Sequence, residues 1–338
     1  MNLLNYIIRR ILIAIPILLG VIIITFFISR AFPGDVVMLR MPEKFTLEMY
    51  ESEKARLGLD QPIYVQFFVY MCDLLTGNWG YSFTIVRESK VWDILWQRIP
   101  RSLELTIISM CLAIIIGIRL GIFSAKNENT LRDKFIRANI YLGASIPGFW
   151  IALLIVMFFL LTGITIFPLF GFKSLGMGDP PAITHFRIID CIISGRFEIL
   201  ADYLWHLVLP VTSMTIIQLV IITKQVRGSM IDILQMDYIR TAWAKGCTEH
   251  MVFKKHALKN SLLPMISVST MAFPKVFAAV IPLEYIFDLD GIGQLFFRAI
   301  RYLDYTMIIA LIFVFAVIVI VFNLVADILY SIVDPRIR

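Results

Sequence analysis

The chain has 338 residues, 59% hydrophobic and only 17% charged, with a mean hydropathy of +0.81. A soluble domain carries about 25% charged residues, so this balance excludes an ordinary soluble enzyme and points to a helical membrane protein. The net charge of +6 sits in particular loops, and no nucleic-acid partner is needed to account for it.

The expected fold is all-α and polytopic, with six transmembrane helices. The first apolar run, Ile11 to Ile28, follows Arg9 and Arg10. It is longer than a signal-peptide core, and no small-x-small cleavage site follows in SRAFPGD, so it reads as a retained first span. Residues 1–30 form this N-terminal unit. Residues 31–100, with seven basic and nine acidic side chains and turn-rich LGLDQP and GNWGYS, are too polar to span. They are expected to form a small extracytoplasmic subdomain of short helices. Residues 101–338 hold the five-helix core, with spans near Leu103–Phe123, Ile136–Leu161, Trp205–Val226, Ser261–Leu283 and Tyr305–Ile332. Pro147, Pro264 and Pro274 fall inside these spans, where neighbouring helices can satisfy freed carbonyls. Residues 172–202 are polar and irregular and carry no legible pattern.

Loop charge gives an orientation. Residues 1–10 carry +2, 119–137 carry +3, 224–259 carry +4 and 332–338 carry +1. The alternate segments are negative: −2 for 31–100, −1 for 164–203 and −2 for 284–304. Six spans with both termini in the cytoplasm fit this alternation.

The cytoplasmic side then holds a polar island, residues 237–264, DYIRTAWAKGCTEHMVFKKHALKNSLLP. Asp237 can cap a short helix and Gly246 can end it. Ile239, Ala242 and Trp243 fall at i, i+3, i+4 and make one apolar stripe. Small Ala242, Ala244 and Gly246 would allow another backbone to approach closely. A second helical stretch runs from about Glu249 to Leu263. The same features also suit a basic interfacial loop that only anchors the protein.

Three polar residues within spans bear on function. Lys275 lies 11 residues past Pro264, roughly 16 Å along a helix, near the bilayer midplane. A lysine there is rarely left facing lipid, so it is either a pathway or gate residue or the partner of an acid on another span. Asn323 and Asp327 share one face of the sixth span, continued by Tyr330 and Asp334; they read as packing between spans or as pathway.

The four cysteines form no C-x-x-C pair; only Cys72 and Cys191 fall on one side, so only they could pair. The four histidines show no metal-ligand spacing. His206, beside Trp205, reads as an interfacial belt residue. No nucleophile-base set is legible, so no catalytic or metal residue is assigned. No G-x-x-x-x-G-K-S/T phosphate loop is present.

The island also resembles a known family. YIRTAWAKG, HALKN and LLP are similar to the cytoplasmic loop of permease subunits in binding-protein-dependent ABC importers. The general loop has an acid where this chain has Arg240-Thr241, but R-T-A-x-A-K-G is the common form in the peptide/nickel class. LGLDQP with VQFFVYMCDLLTGNWGYS resembles the segment after the first span of that class's B-type permeases. EYIFDLDGIGQLFFRAIRYLDYTMI and NLVADILYSIVDPRIR resemble its segment between spans five and six and its C-terminal ending. Asp288-Leu289-Asp290 departs from the usual turn there.

The resemblance implies a type I ABC importer permease fold in a prokaryotic inner membrane. It implies that Asp237, Tyr238, Arg240, Thr241, Ala242, Ala244, Lys245 and Gly246 couple the chain to a separate ATPase. The partners implied are a second homologous permease, two ABC ATPase subunits and an extracytoplasmic substrate-binding protein, besides membrane lipid. No cofactor is expected on this chain; ATP and Mg would sit on the ATPases. The class carries peptides, oligosaccharides or nickel chelates. The rival reading is an ion-coupled secondary transporter, which matched inverted repeats would favour.

Overall fold

The computed structural model describes residues 3–31, 37–38, 41, 44–82, 84–85 and 88–333; side chains within it are described except at 3–4, 6, 31, 249, 254–256, 259–260, 262–273 and 329–333. Helix α1 (Leu3–Ala31) is followed by two short helices, α2 (Leu47–Arg56) and α3 (Ile63–Thr76). A two-residue antiparallel ribbon, β1 (Tyr81–Ser82) with β2 (Ser89–Lys90), leads into α4 (Val91–Lys126). Thr46 caps α2 by accepting from Met49 N–H, and Gly77 ends α3 in the left-handed conformation at φ 78°. Among its described residues, the polar segment holds two short helices and this ribbon before α4. Its last ten residues belong to α4, which runs through Pro100 without a break.

The core continues with α5 (Leu131–Ser145), α6 (Gly148–Thr162), α7 (Arg187–Ile193), α8 (Phe197–Leu234), α9 (Asp237–Ala244) and α10 (Glu249–Met251). A π-helical turn at Val252–Ala257 then joins α11 (Leu258–Ile286), followed by α12 (Ile292–Arg301) and α13 (Tyr305–Val333). Among the described residues, α1, α4, α8 and α13 are each long and apolar enough to cross a membrane. The 29 residues of α11 reach about 43 Å at 1.5 Å per residue. Together with α5–α6 these helices are consistent with the six spans expected.

The third span departs from expectation. It is two helices, α5 and α6, bent by 102°. Ile146 is extended (φ −97°, ψ 128°), and Pro147 stands as the residue before α6. Proline drives its predecessor out of helical geometry, and here no straight continuation overrides that. Pro16, Pro100 and Pro210 lie inside continuous helices.

Helix α8 is the central pillar, packed by α4, α5, α6, α7 and α11. Glycines permit its closest contacts. A methyl on Gly117 would stand 2.7 Å from Ile222 Cγ2, and one on Gly121 2.7 Å from Val226 Cβ. Gly117 and Gly121 form a small-xxx-small face, the sequence form of close helix approach in membranes. Gly143 and Gly148 repeat this against Val220 and Ile217. Helix α1 packs peripherally on α13, where Arg10 and Asp327 form an ion pair at 2.8 Å.

Candidate functional site

Helix α9 sits just after the end of α8, on the side where α4 and α8 end and α11 begins. Its N-cap is Met236 (φ −71°, ψ 148°), with no side-chain cap bond. Asp237 is thus not the cap but the first helical residue, where its charge still suits the helix dipole. Ile239 (0% exposed) and Ala242 are buried with Ala125, Met230, Val252 and Ala257. Ala242 therefore serves the chain's own packing and does not face a visitor. Trp243 is 45% exposed, so the apolar stripe is Ile239 and Ala242 alone. Asp237, Tyr238, Arg240, Thr241, Ala244, Lys245 and Gly246 are exposed.

Gly246 has φ 78°, and its N–H bonds Trp243 O at 2.9 Å while Cys247 N–H bonds Ala242 O. This left-handed residue closes the helix as the sequence suggests. A methyl there would meet nothing within 4 Å, so glycine is needed for backbone conformation rather than for space. The second helical stretch does not end near Leu263: α10, the π turn and α11 follow without interruption. The segment after α9 is thus joined directly to the helix of the fifth span.

A charged lock lies close by. Asp133 is fully buried and accepts from Ser124 Oγ (2.6 Å), Arg227 Nε (2.8 Å) and Arg227 Nη2 (3.0 Å), with Arg137 Nε at 3.3 Å. It ties the α4–α5 turn to α8 ten residues before α9 begins. Breaking such a buried pair from one side leaves an uncompensated charge.

The three polar residues of the spans do not converge. Asp327 is held by Arg10, which supports the packing reading, and Asn323 is exposed. Tyr330's side chain and Asp334 lie outside the described set. Lys275 follows buried Pro274, is exposed, and has no acidic partner among the described residues. His206 is buried, its Nδ1 2.8 Å from Asp202 O, so it is not a belt residue; exposed Trp205 packs on Phe167. Cys72 and Cys191 are free, one exposed and one buried.

The opposite end holds what the sequence left illegible. Residues 172–202 are ordered by a polar network. Glu104 accepts from Ile188 N–H (2.8 Å) and Tyr203 Oη (3.0 Å). Arg187 pairs with Asp179 and lies over the rings of Phe172 and Tyr203 at 5.0 and 5.2 Å. Asp190 accepts from Ile183 N–H, Thr184 N–H, Thr184 Oγ1 and His185 N–H. Nearby, Glu284, 1% exposed, accepts from Ser102 Oγ (2.5 Å) and Gly293 N–H (2.7 Å), closing the α11–α12 turn onto α4. Asp290 pairs with Arg98 at 2.9 Å and with Arg101. The unusual Asp288-Leu289-Asp290 turn thus points one acid inward and the other outward. An open cleft of about 1240 Å³ lies beside it, between α6, α12 and the end of α11. The amphipathic spacing of IGQLFFRAIR could have marked this wall.

These features define a class: a polytopic helical membrane protein with a short helix held at one end of its bundle, one face buried and the other exposed. Residues 117–338 match the family of binding-protein-dependent transport system inner membrane components, and residues 3–106 match the N-terminal model of such components. The chain belongs to this family. It is 38% identical to a dipeptide transport system permease protein of Alkalihalophilus pseudofirmus, with 99% of each chain covered. It is 38% identical to an oligopeptide transport system permease protein of Bacillus subtilis (98% and 99% covered). It is 32% identical to a dipeptide permease of Escherichia coli K12 (99% of each). The inward-facing methionine ABC transporter MetNI shares the fold, with a TM-score of 0.51 at 14% identity over 71% of this chain and 94% of that one. The chain is a permease subunit of an ABC importer.

The Asp190 cage predicts a pH effect. Burial raises its carboxyl pKa, but the bonds from Thr184, Ile183 and His185 outweigh this and hold it below the usual value. A depressed pKa stabilises the fold fully above the unfolded value, about 3.9, and that contribution is lost as pH falls through the folded value. Asp190→Asn should therefore expose the 172–186 segment to limited proteolysis at neutral pH, costing ~1–3 kcal/mol. Wild type should approach the variant only below about pH 4. Equal protection of the two proteins at neutral pH would rule this out.

Proposed function

We propose that this chain forms half of the translocation pathway of a peptide importer, driven by two ABC ATPase subunits that bind ATP and Mg. A second homologous permease supplies the other half, and an extracytoplasmic binding protein delivers the solute. Both termini and α9 lie in the cytoplasm, in keeping with the loop charges. The observation that carries the reading is α9. Its inner face is sealed on its own chain by Ile239 and Ala242, and its outer face, with Tyr238, Arg240, Thr241 and Lys245, is open. A helix fixed on one side and open on the other moves its bundle when a partner moves it. The dipeptide and oligopeptide permeases that match end to end support the peptide class.

Coupling depends on the left-handed residue. Gly246→Val places a β-branched side chain at φ 78°, which costs ~1–3 kcal/mol. Substrate-stimulated ATP hydrolysis and uptake by the assembled complex should fall about tenfold, the factor that ~1.4 kcal/mol gives. Gly246→Asn, more tolerant of that conformation, should lose less. Wild-type uptake with the valine would sink the docking role.

The orientation is checked by thiol labelling. In a Cys-free background, Glu48→Cys should react with an impermeant reagent in intact spheroplasts, and Lys254→Cys only after the membrane is opened. Reaction of both from one side would overturn the topology.

Lys275 has no acid on its own chain among the described residues, so the reading favoured is a side chain turned to the pathway or to the partner permease. Lys275→Met should leave complex recovery unchanged and lower uptake severalfold. A fully assembled variant with wild-type uptake would defeat a pathway role, and loss of assembly would make the lysine structural.

A further inference from the structure

The cleft beside α12 has two unlike walls. Its floor is aromatic and apolar: the rings of Tyr285 and Phe297 lie 4.5 Å apart, with Leu153 and Phe170 nearby. Its rim is cationic, formed by Arg298 and Arg301, which stand one turn apart on the outer side of α12.

The sole carboxylate among the lining residues is already engaged. Asp288 sits at φ 51°, and Gln294, only 4% exposed, donates to its Oδ1. Arg298 Nη2 lies 3.8 Å from the same oxygen. A buried amide and a left-handed backbone thus fix Asp288 toward Arg298. Arg301 has no carboxylate partner among the described residues; its guanidinium lies 5.9 Å from the Tyr302 ring. The cleft therefore offers a guanidinium fork above an aromatic floor and a net formal charge of +1, from two arginines and one aspartate. A guanidinium binds a carboxylate with two parallel N–H donors. An aromatic floor beside it suits an apolar side chain carried a few bonds from that carboxylate.

We propose that this cleft is a carboxylate subsite at the outer mouth of the half-pathway, where Arg301, with Arg298 beside it, receives the free C-terminal carboxylate of a short peptide while the adjacent side chain rests on Tyr285 and Phe297. The inference rests on the peptide reading above and adds the group recognised and the residues that recognise it. A single open cationic site of this kind holds the peptide's end without trapping it, because the carboxylate keeps part of its water.

The test uses the complete transporter, with partner permease, ATPases and binding protein, reconstituted in vesicles of neutral phosphatidylcholine. Uptake of alanyl-phenylalanine and of its C-terminal amide is measured, each at a concentration that saturates the binding protein. Wild type should favour the acid by about tenfold per loaded binding protein, the scale of a charge-assisted hydrogen bond. Arg301→Gln should bring the acid down to the level of the amide, and Arg301→Lys, which keeps the charge but not the fork, should fall between. Arg196→Gln, an exposed arginine outside the cleft, should keep the wild-type ratio. An acid-to-amide ratio in Arg301→Gln equal to wild type overturns the subsite. If the glutamine variant is not recovered as a complex, an unchanged ratio in Arg301→Lys overturns it equally. An effect of Arg301→Gln that occurs only in vesicles containing anionic lipid assigns the arginine to lipid phosphate and also overturns it. Wild-type vesicles that take up neither compound refute the peptide reading itself, whereas uptake of both with no dependence on Arg301 refutes the subsite alone.

Discussion

The close approach of α4 to α8 at Gly117 and Gly121 is the constraint from which the rest follows. With no side chain in the way, the backbone of α4 lies against Ile222 and Val226. In a membrane no hydrophobic drive pulls helices together, so van der Waals contact and interhelical hydrogen bonds must hold them. Six residues beyond Val226's partner the chain turns, and Ser124 and Asp133 come within reach of Arg227. A bulkier pair at 117 and 121 would lift α4 away and leave Asp133 buried without its arginine. One contact made of small residues thus brings about a charged contact made of large ones.

The same pillar explains how α9 is held. Met230, near the end of α8, forms one wall of the pocket that takes Ile239, and Val252 of the π turn forms another. The helix is short, and helices of that length are marginal alone. Its order comes from two buried side chains and one left-handed glycine, which is why the exposed face can carry polar residues freely.

Most of the spans were legible because long apolar runs with flanking charge have few alternative structures in a bilayer. Gly246 was legible because a glycine after a short amphipathic stretch has a local meaning. The break at Pro147 departs from the tolerance that composition argues for, because Ile146 takes the extended backbone that a following proline favours. Asp237 was misplaced by one residue, since Met236 takes the extended backbone that a cap requires. Trp243 lies off the stripe expected of it, and Ala242 lies in that stripe rather than on the surface open to another backbone, because an eight-residue helix has too few positions to fix its azimuth. The polar network around residues 172–202 was hidden for a different reason. Glu104 meets Ile188 across 84 residues, and Ser102 meets Glu284 across 182. No local pattern encodes such pairs, and the loop that they order reads as irregular until the helices bring them together.

The π-helical turn at Val252–Ala257 carries a consequence of its own. Such a turn accommodates one residue more than an α-helix would over the same length. Each residue of an α-helix advances the side-chain direction by about 100°. The inserted residue therefore acts as a phase offset: on α11, Lys275 and Glu284 are rotated by about a quarter turn or more from where a regular helix starting at Glu249 would aim them. The direction in which the fifth span presents Lys275 is thus set some twenty residues away, in the backbone winding beside α9 rather than in the span itself.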